Sequence, residues 1–101
     1  MRSKNLIACM LLLLFSITVW AQESAVITGV VTDENKEPLI GVNIAIQNMP
    51  GLGVITDING RYKIKASAYD RLVFSYVGYE TVVVLVKEQR TINVKIVEYD
   101  Y

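Results

Sequence analysis

Three stretches of this 101-residue chain alternate apolar and polar residues one for one. Val42, Ile44 and Ile46 interleave with Asn43, Ala45 and Gln47; Tyr62 and Ile64 with Arg61, Lys63 and Lys65; Ile92, Val94 and Ile96 with Thr91, Asn93 and Lys95. Successive residues of a strand point to opposite faces, so a period of two gives each segment one apolar and one wet face. No 11-residue window carries the 3.6-residue spacing of a helix, and Val, Ile and Thr dominate, as a pleated surface favours. Strands with one apolar face must bury it against a second layer.

The turn residues divide the chain into seven such strands. "TDENKEPLIG" separates a first near Val26–Thr32 from a second near Val42–Asn48, and "MPGLG" with "TDING" brackets a third at Val54–Thr56. "ASAYD" follows the fourth, Arg61–Lys65; the fifth is Leu72–Val77, the sixth Thr81–Val86, and "KEQR" leads to the seventh, Thr91–Val97. No connection is long enough for a crossover helix, so an antiparallel sandwich is expected. A membrane barrel needs strands of roughly 9–11 residues, which this chain is too short to supply eight times over. Two turns echo each other, Thr32-Asp33-Glu34-Asn35 and Thr56-Asp57-Ile58-Asn59. Asp33 and Asp57 are suited to accept hydrogen bonds from N–H groups two residues on, and Asn59-Gly60 tolerates positive φ. Asp33, Asn35 and Glu37 resemble the start of a calcium loop, but Lys36 interrupts them and no glycine holds the sixth position. Turn chemistry is the expectation there.

The first residues follow a different rule. Arg2 and Lys4 precede an apolar run over Leu6–Val19, and Val19-Trp20-Ala21 ends it with a cleavage signal, which predicts a helical secretory leader over residues 1–21. The run is shorter than the roughly 20 residues that cross a bilayer. Leu6-Ile7-Ala8-Cys9 spells a lipoprotein box, but the apolar stretch follows Cys9 where lipidation needs it before. Residues 22–25 are then a linker, 26–98 one domain and 99–101 a tail. Losing Arg2 and Lys4 with the leader leaves eight basic residues against ten acidic, a formal charge near −2, with no basic excess to hold a nucleic acid. It also leaves no cysteine in a chain without histidine, so neither disulfides nor a Cys or His metal site are available, and no cofactor is expected. The 80 remaining residues can bury only about 60–65% of their unfolded surface, which forces one shared core.

The segments "ITGVVTDENKEPLIGVNIAIQN", "GVITDINGRYKI" and "LVFSYVGYETVVV" together resemble one module. It is the carboxypeptidase-regulatory-like (transthyretin-like) domain that precedes the plug in SusC/RagA-type TonB-dependent outer-membrane receptors. The resemblance rests on Gly29 and Val31, Pro38-Leu39 with Gly41, Thr56-Asp57 with Asn59-Gly60, and Ser75-Tyr76-Val77-Gly78-Tyr79, and covers about residues 26–97. It implies a seven-stranded antiparallel Greek-key sandwich of the transthyretin (prealbumin) kind, exported to the periplasm at the inner face of the outer membrane, without catalysis or a small-molecule substrate. Its implied partners are the receptor's own plug and barrel or a TonB-type protein, with a surface lipoprotein beside the receptor. The receptors continue into a TonB-contacting segment, plug and barrel, whereas this sequence stops at "IVEYDY". A receptor fragment or truncated form and a free-standing adhesive or spacer domain both remain open.

Any enzyme here would need a carboxylate base and a hydroxyl nucleophile. Asp33, Glu34, Glu37 and Asp57 sit in turns among lysines, and Tyr76 or Tyr79 suits a buried phenol on a backbone carbonyl better. Leu72, Phe74 and Tyr76 are expected in the core with Val42, Ile44 and Ile64, and Gly78 supplies a bend that folds Tyr79 over the sandwich end. Val73 and Val77 then point outward. In "TVVVLV" either Val82, Val84 and Val86 or Thr81, Val83 and Leu85 join them. The partner-binding surface is assigned to Val73, Val77, Val82, Val84 and Val86, as an apolar patch of the kind that marks an interface; the other reading is that a loop covers this face or that the valines serve there simply as strand formers. An unpaired edge strand offers a second route to a partner.

Overall fold

The computed structural model describes residues 24–100; the expected leader and the box at Cys9 lie outside them. Seven strands form in chain order: β1 Ala25–Thr32, β2 Asn43–Ile46, β3 Met49–Ile55, β4 Arg61–Ala66, β5 Arg71–Ser75, β6 Val82–Leu85 and β7 Val94–Lys95. They make two sheets, one ordered β4-β1-β7 and the other β3-β2-β5-β6. Among the described residues no helix is long and apolar enough to cross a membrane.

The alternation in the sequence is realised as burial. On β4, Tyr62, Ile64 and Ala66 face inward while Arg61, Lys63 and Lys65 are exposed. Ile27, Val31, Ile92, Val94 and Ile96 complete that side of the core, and Val42, Ile44, Ile46, Leu72 and Phe74 form the other. The Tyr62 and Phe74 rings meet edge to face between the sheets, centroids 5.5 Å apart at 77°, an arrangement that aromatic quadrupoles favour.

Four details depart from the sequence expectation. β2 stops at Ile46 and β3 starts at Met49, because Asn48 at φ 65° closes a tight turn over Gln47-Asn48. "MPGLG" is therefore strand rather than loop; as an edge strand β3 tolerates a proline, whose missing N–H has no ladder to break. The third is orientation: β1 and β7 run parallel, Val31 beside Val94 and Thr32 beside Lys95. Consecutive strands lack room for a crossover, but these two are joined through the other five and need none. The expected seventh strand, Thr91–Val97, keeps its inward residues Ile92, Val94 and Ile96, yet only Val94–Lys95 form ladder. At its start the Val30 N–H donates to Asn93 Oδ1 at 2.9 Å, a side chain standing in for the missing main-chain acceptor.

β1 carries its one inward glycine where the Tyr62 ring and the main chain at Ile92, its neighbours in the same sheet, close over it. Tyr62 lies opposite Gly29, and its hydroxyl crosses β1 to donate to the Ile92 carbonyl at 2.6 Å. A Cβ at Gly29 would stand 1.9 Å from that carbonyl oxygen and 2.8 Å from the Tyr62 ring.

Candidate interaction surfaces

The echoed turns are the same object twice. Asp33 Oδ1 accepts from the Asn35 and Glu37 N–H groups at 2.8 and 2.9 Å, and Asp57 Oδ1 from those of Asn59 and Arg61 at 2.9 and 3.0 Å. The fourth residues match as well, Lys36 at φ 65° and Gly60 at φ 72°. These carboxylates close turns, and the described residues hold no group of three or more Asp, Glu, His or Cys placed to bind a metal ion.

Thr56, at the head of the second turn, is buried and polar. The Val42 N–H donates to its Oγ1 at 2.9 Å, and its hydroxyl donates to the Leu39 carbonyl at 2.6 Å. This clasp ties the Pro38–Gly41 step to the end of β3. It is a structural role that the sequence reading of Thr56-Asp57 did not assign.

At the corner after β5, the Tyr79 N–H donates to the Tyr76 carbonyl at 3.0 Å and Gly78 takes φ 88°. The bend brings the two tyrosine rings to 5.3 Å, and the Tyr79 hydroxyl donates to Glu98 Oε1 at 3.1 Å. Partial desolvation first, then this carboxylate, pushes the Tyr79 phenol above its ordinary pKa. The phenol that rests on a backbone carbonyl is Tyr62 instead, and burial pushes it up to about 12. Neither is poised as a nucleophile.

The assigned docking residues divide by strand phase. Val73 is half-buried on the outer side of β5 and Val77 is almost fully exposed at the corner. On β6 the assignment is corrected: Val86 is buried in the core, and Val82 and Val84 lean against it. The outward residues are Val83 and Leu85, 49% and 36% exposed. The phase is fixed by pairing. The Val86 N–H donates to the Asp70 carbonyl at 3.0 Å, which sets Val83 opposite Val73 and Val84 opposite buried Leu72. One outer rung thus runs Gly53, Ala45, Val73, Val83 across all four strands without a charge.

β6 ends that sheet, so it is also an open edge. Its main-chain groups alternate in direction: with Val86 bonded toward Asp70, the N–H and C=O of Val83 and Leu85 face away from β5. The apolar outer rung and the open edge meet at Val83; Leu85 stands opposite Arg71, and its carbonyl accepts from Gln89 Nε2 at 3.5 Å.

Residues 27–100 match the family model of the CarboxypepD_reg-like domain. Among curated proteins, the chain is 37% identical over 65 residues to the TonB-dependent receptor SusC of Bacteroides thetaiotaomicron, covering 64% of this chain and 6% of that protein. It is 38% identical over 68 residues to the TonB-dependent receptor P39 of Formosa agariphila, covering 66% of this chain and again 6% of the relative. Among solved structures, a 3-chlorocatechol 1,2-dioxygenase from Rhodococcus opacus superposes with a TM-score of 0.60 at 11% identity, over 81% of this chain and 62% of that one. That last likeness is one of fold alone.

Proposed function

Because the chain belongs to the CarboxypepD_reg-like domain family, we propose that it is a non-catalytic interaction module working as the N-terminal extension of a TonB-dependent nutrient receptor. Its place is the periplasm, at the inner face of the outer membrane, and its contacts are the receptor's plug and barrel or a TonB-type protein. A glycan or peptide cargo and a surface lipoprotein partner belong to the whole receptor, of which the chain spans about 6% in the relatives it matches.

The observation that carries this reading is the uncharged outer rung ending at Val83 on an open edge, with Leu85 exposed beside it. Side chains there offer apolar area, and the main chain offers a ladder, the two components of strand addition. The groups that would have to do chemistry are engaged otherwise: Asp33 and Asp57 in turns, Tyr62 on Ile92.

The test is titration of the exported chain with the receptor plug and, separately, with the periplasmic domain of the TonB-type protein, followed by amide chemical shifts. Binding to either is expected at the amides of Val73, Val83 and Leu85, and Val83→Lys should abolish it without unfolding the domain. Undiminished binding by that variant would refute the docking face. In-frame coding sequence for a plug and barrel supports the receptor context, and a stop codon followed by an unrelated gene supports a free-standing spacer.

A further inference from the structure

The opposite sheet has a different character. The outward residues of β4 are Arg61, Lys63 and Lys65, and Lys95 stands beyond them on β7. Between them β1 contributes Val26, Thr28 and Val30. No carboxylate lies within β1, β4 or residues 91–97. The outer face of the three-stranded sheet is thus cationic, while that of the four-stranded sheet is nearly neutral.

β4 also ends its sheet. The Thr28 N–H donates to the Arg90 carbonyl and the Thr28 carbonyl accepts from Ile92, so Thr28 turns its main chain toward β7. Its antiparallel partner Lys63 is therefore in a non-hydrogen-bonded pair, and so is Lys65 two residues on. Their N–H and C=O groups point off the open edge. Arg61 has the same phase, but its N–H is bonded to Asp57 Oδ1 and its carbonyl to the Asp57 N–H. The free ladder is the Lys63–Lys65 stretch, with both ammonium groups beside it.

We propose that this edge receives an extended polypeptide segment with a carboxylate at every second position. An added strand would lie about 4.8 Å away. Its same-face side chains would repeat at about 6.8 Å, the spacing of Lys63 and Lys65 on β4. Carboxylates on that face would then stand directly opposite the lysines. The alternate residues of the segment would fall beside Tyr62, Ile64 and Ala66 at the flank of the core, so they are small or apolar. A second copy of β4 is excluded by the same geometry, because lysine would face lysine; lysines on edges ordinarily serve that protective purpose. The protection is selective, since it repels a basic or self strand and admits an acidic one. This surface is separate from the Val73–Val83 rung, and either can fail without the other.

The probe is a synthetic peptide, acetyl-Ser-Glu-Val-Glu-Val-Glu-Ser-amide, with two controls: the same composition with its glutamates contiguous, and lysine in place of glutamate. With the exported chain, the alternating peptide should bind and slow hydrogen exchange at the Lys63 and Lys65 amides, weakening as salt rises. Each opposed pair is expected to contribute about threefold. The Lys63→Glu/Lys65→Glu variant should lose about tenfold or more and take up the lysine peptide instead. If that variant misfolds, Lys63→Gln/Lys65→Gln should still lose most of the binding. Equal affinity for the contiguous-glutamate control would overturn the proposal, since only charge would then be read. So would protection at Val83 and Leu85 alone, no binding at all, or capture by phosphatidylglycerol vesicles without uptake of the peptide, which would make the face a membrane contact.

Discussion

Tyr62 joins three parts of the molecule at once: its strand β4, the ring of Phe74 in the other sheet, and the Ile92 carbonyl beyond β1. Tyr62→Phe keeps the ring and leaves that carbonyl without its donor, which should cost about 1–3 kcal/mol in denaturant unfolding. The same residue sets an alkaline limit. With the folded phenol pushed up to about 12 and the unfolded one near 10, both states keep the proton below about pH 10 and the contribution is constant. Between those values the unfolded tyrosine has lost its proton and the folded one retains it, so each pH unit removes about 1.4 kcal/mol. The difference between wild type and Tyr62→Phe should show this slope in urea titrations at pH 9 to 12; parallel curves would refute it. Lys36 gives a prediction of opposite sign. It holds φ 65° where the twin turn has Gly60, and a left-handed conformation costs a side-chain-bearing residue about 1–2 kcal/mol. After the added backbone entropy of glycine, Lys36→Gly should gain roughly 0.5–1 kcal/mol, read as a raised Tm.

Among the elements, β6 shows best what the sequence carried and what it did not. Where polar residues alternate with apolar ones, as in β4, strand and inward face are both legible from the residues alone. "TVVVLV" has no polar residue after Thr81 to mark the wet face, so strand existence was readable and phase was not. The phase comes from the Val86-to-Asp70 hydrogen bond and the pairing beyond it, which are non-local. That is why the sequence alone points to Val82, Val84 and Val86 as the outward patch while the exposed residues are Val83 and Leu85. β3 hid behind its proline and glycines, and the parallel β1–β7 pair behind the distance between its partners in sequence. Lysine at either of two adjacent positions checks the phase: Val83→Lys should change stability by no more than about 0.5 kcal/mol. Val84→Lys forces its charge toward the core and should cost about 2 kcal/mol or more. Equal costs would place β6 in the other phase. The Thr56 clasp was equally hidden, since a threonine in a turn does not announce burial. Thr56→Val removes the acceptor for Val42 and the donor for Leu39 at once, and should cost about 2–4 kcal/mol on the scale of two unsatisfied buried groups. Thr56→Ser, which keeps both bonds, should recover most of it.

At the scale of the whole molecule, the two ends of the folded chain are stitched side by side, and the closing stitch is thin. β7 contributes only two ladder residues, yet the segment around it buries Ile92, Val94 and Ile96 against both sheets. Removing three such side chains from water is worth about 1.5–3 kcal/mol each, comparable with the 5–15 kcal/mol by which a domain is usually stable. It would also strip β1 of the partners of Thr28, Val30 and Thr32. A chain cut at the Lys87–Arg90 turn should therefore be unfolded by circular dichroism as its longer piece alone. Adding the piece that begins at Gln89 in trans should restore the native amide spectrum, because the break falls in an exposed loop outside every strand ladder and crosses only turn bonds such as Gln89 N–H to the Val86 carbonyl. Asn93→Leu in the added piece should weaken the rescue by roughly 1 kcal/mol or more, since the Val30 N–H would lose its acceptor. A longer piece that folds by itself would mean that the two layers close without β7, and the parallel pair would then be an addition to the sandwich rather than the step that completes it.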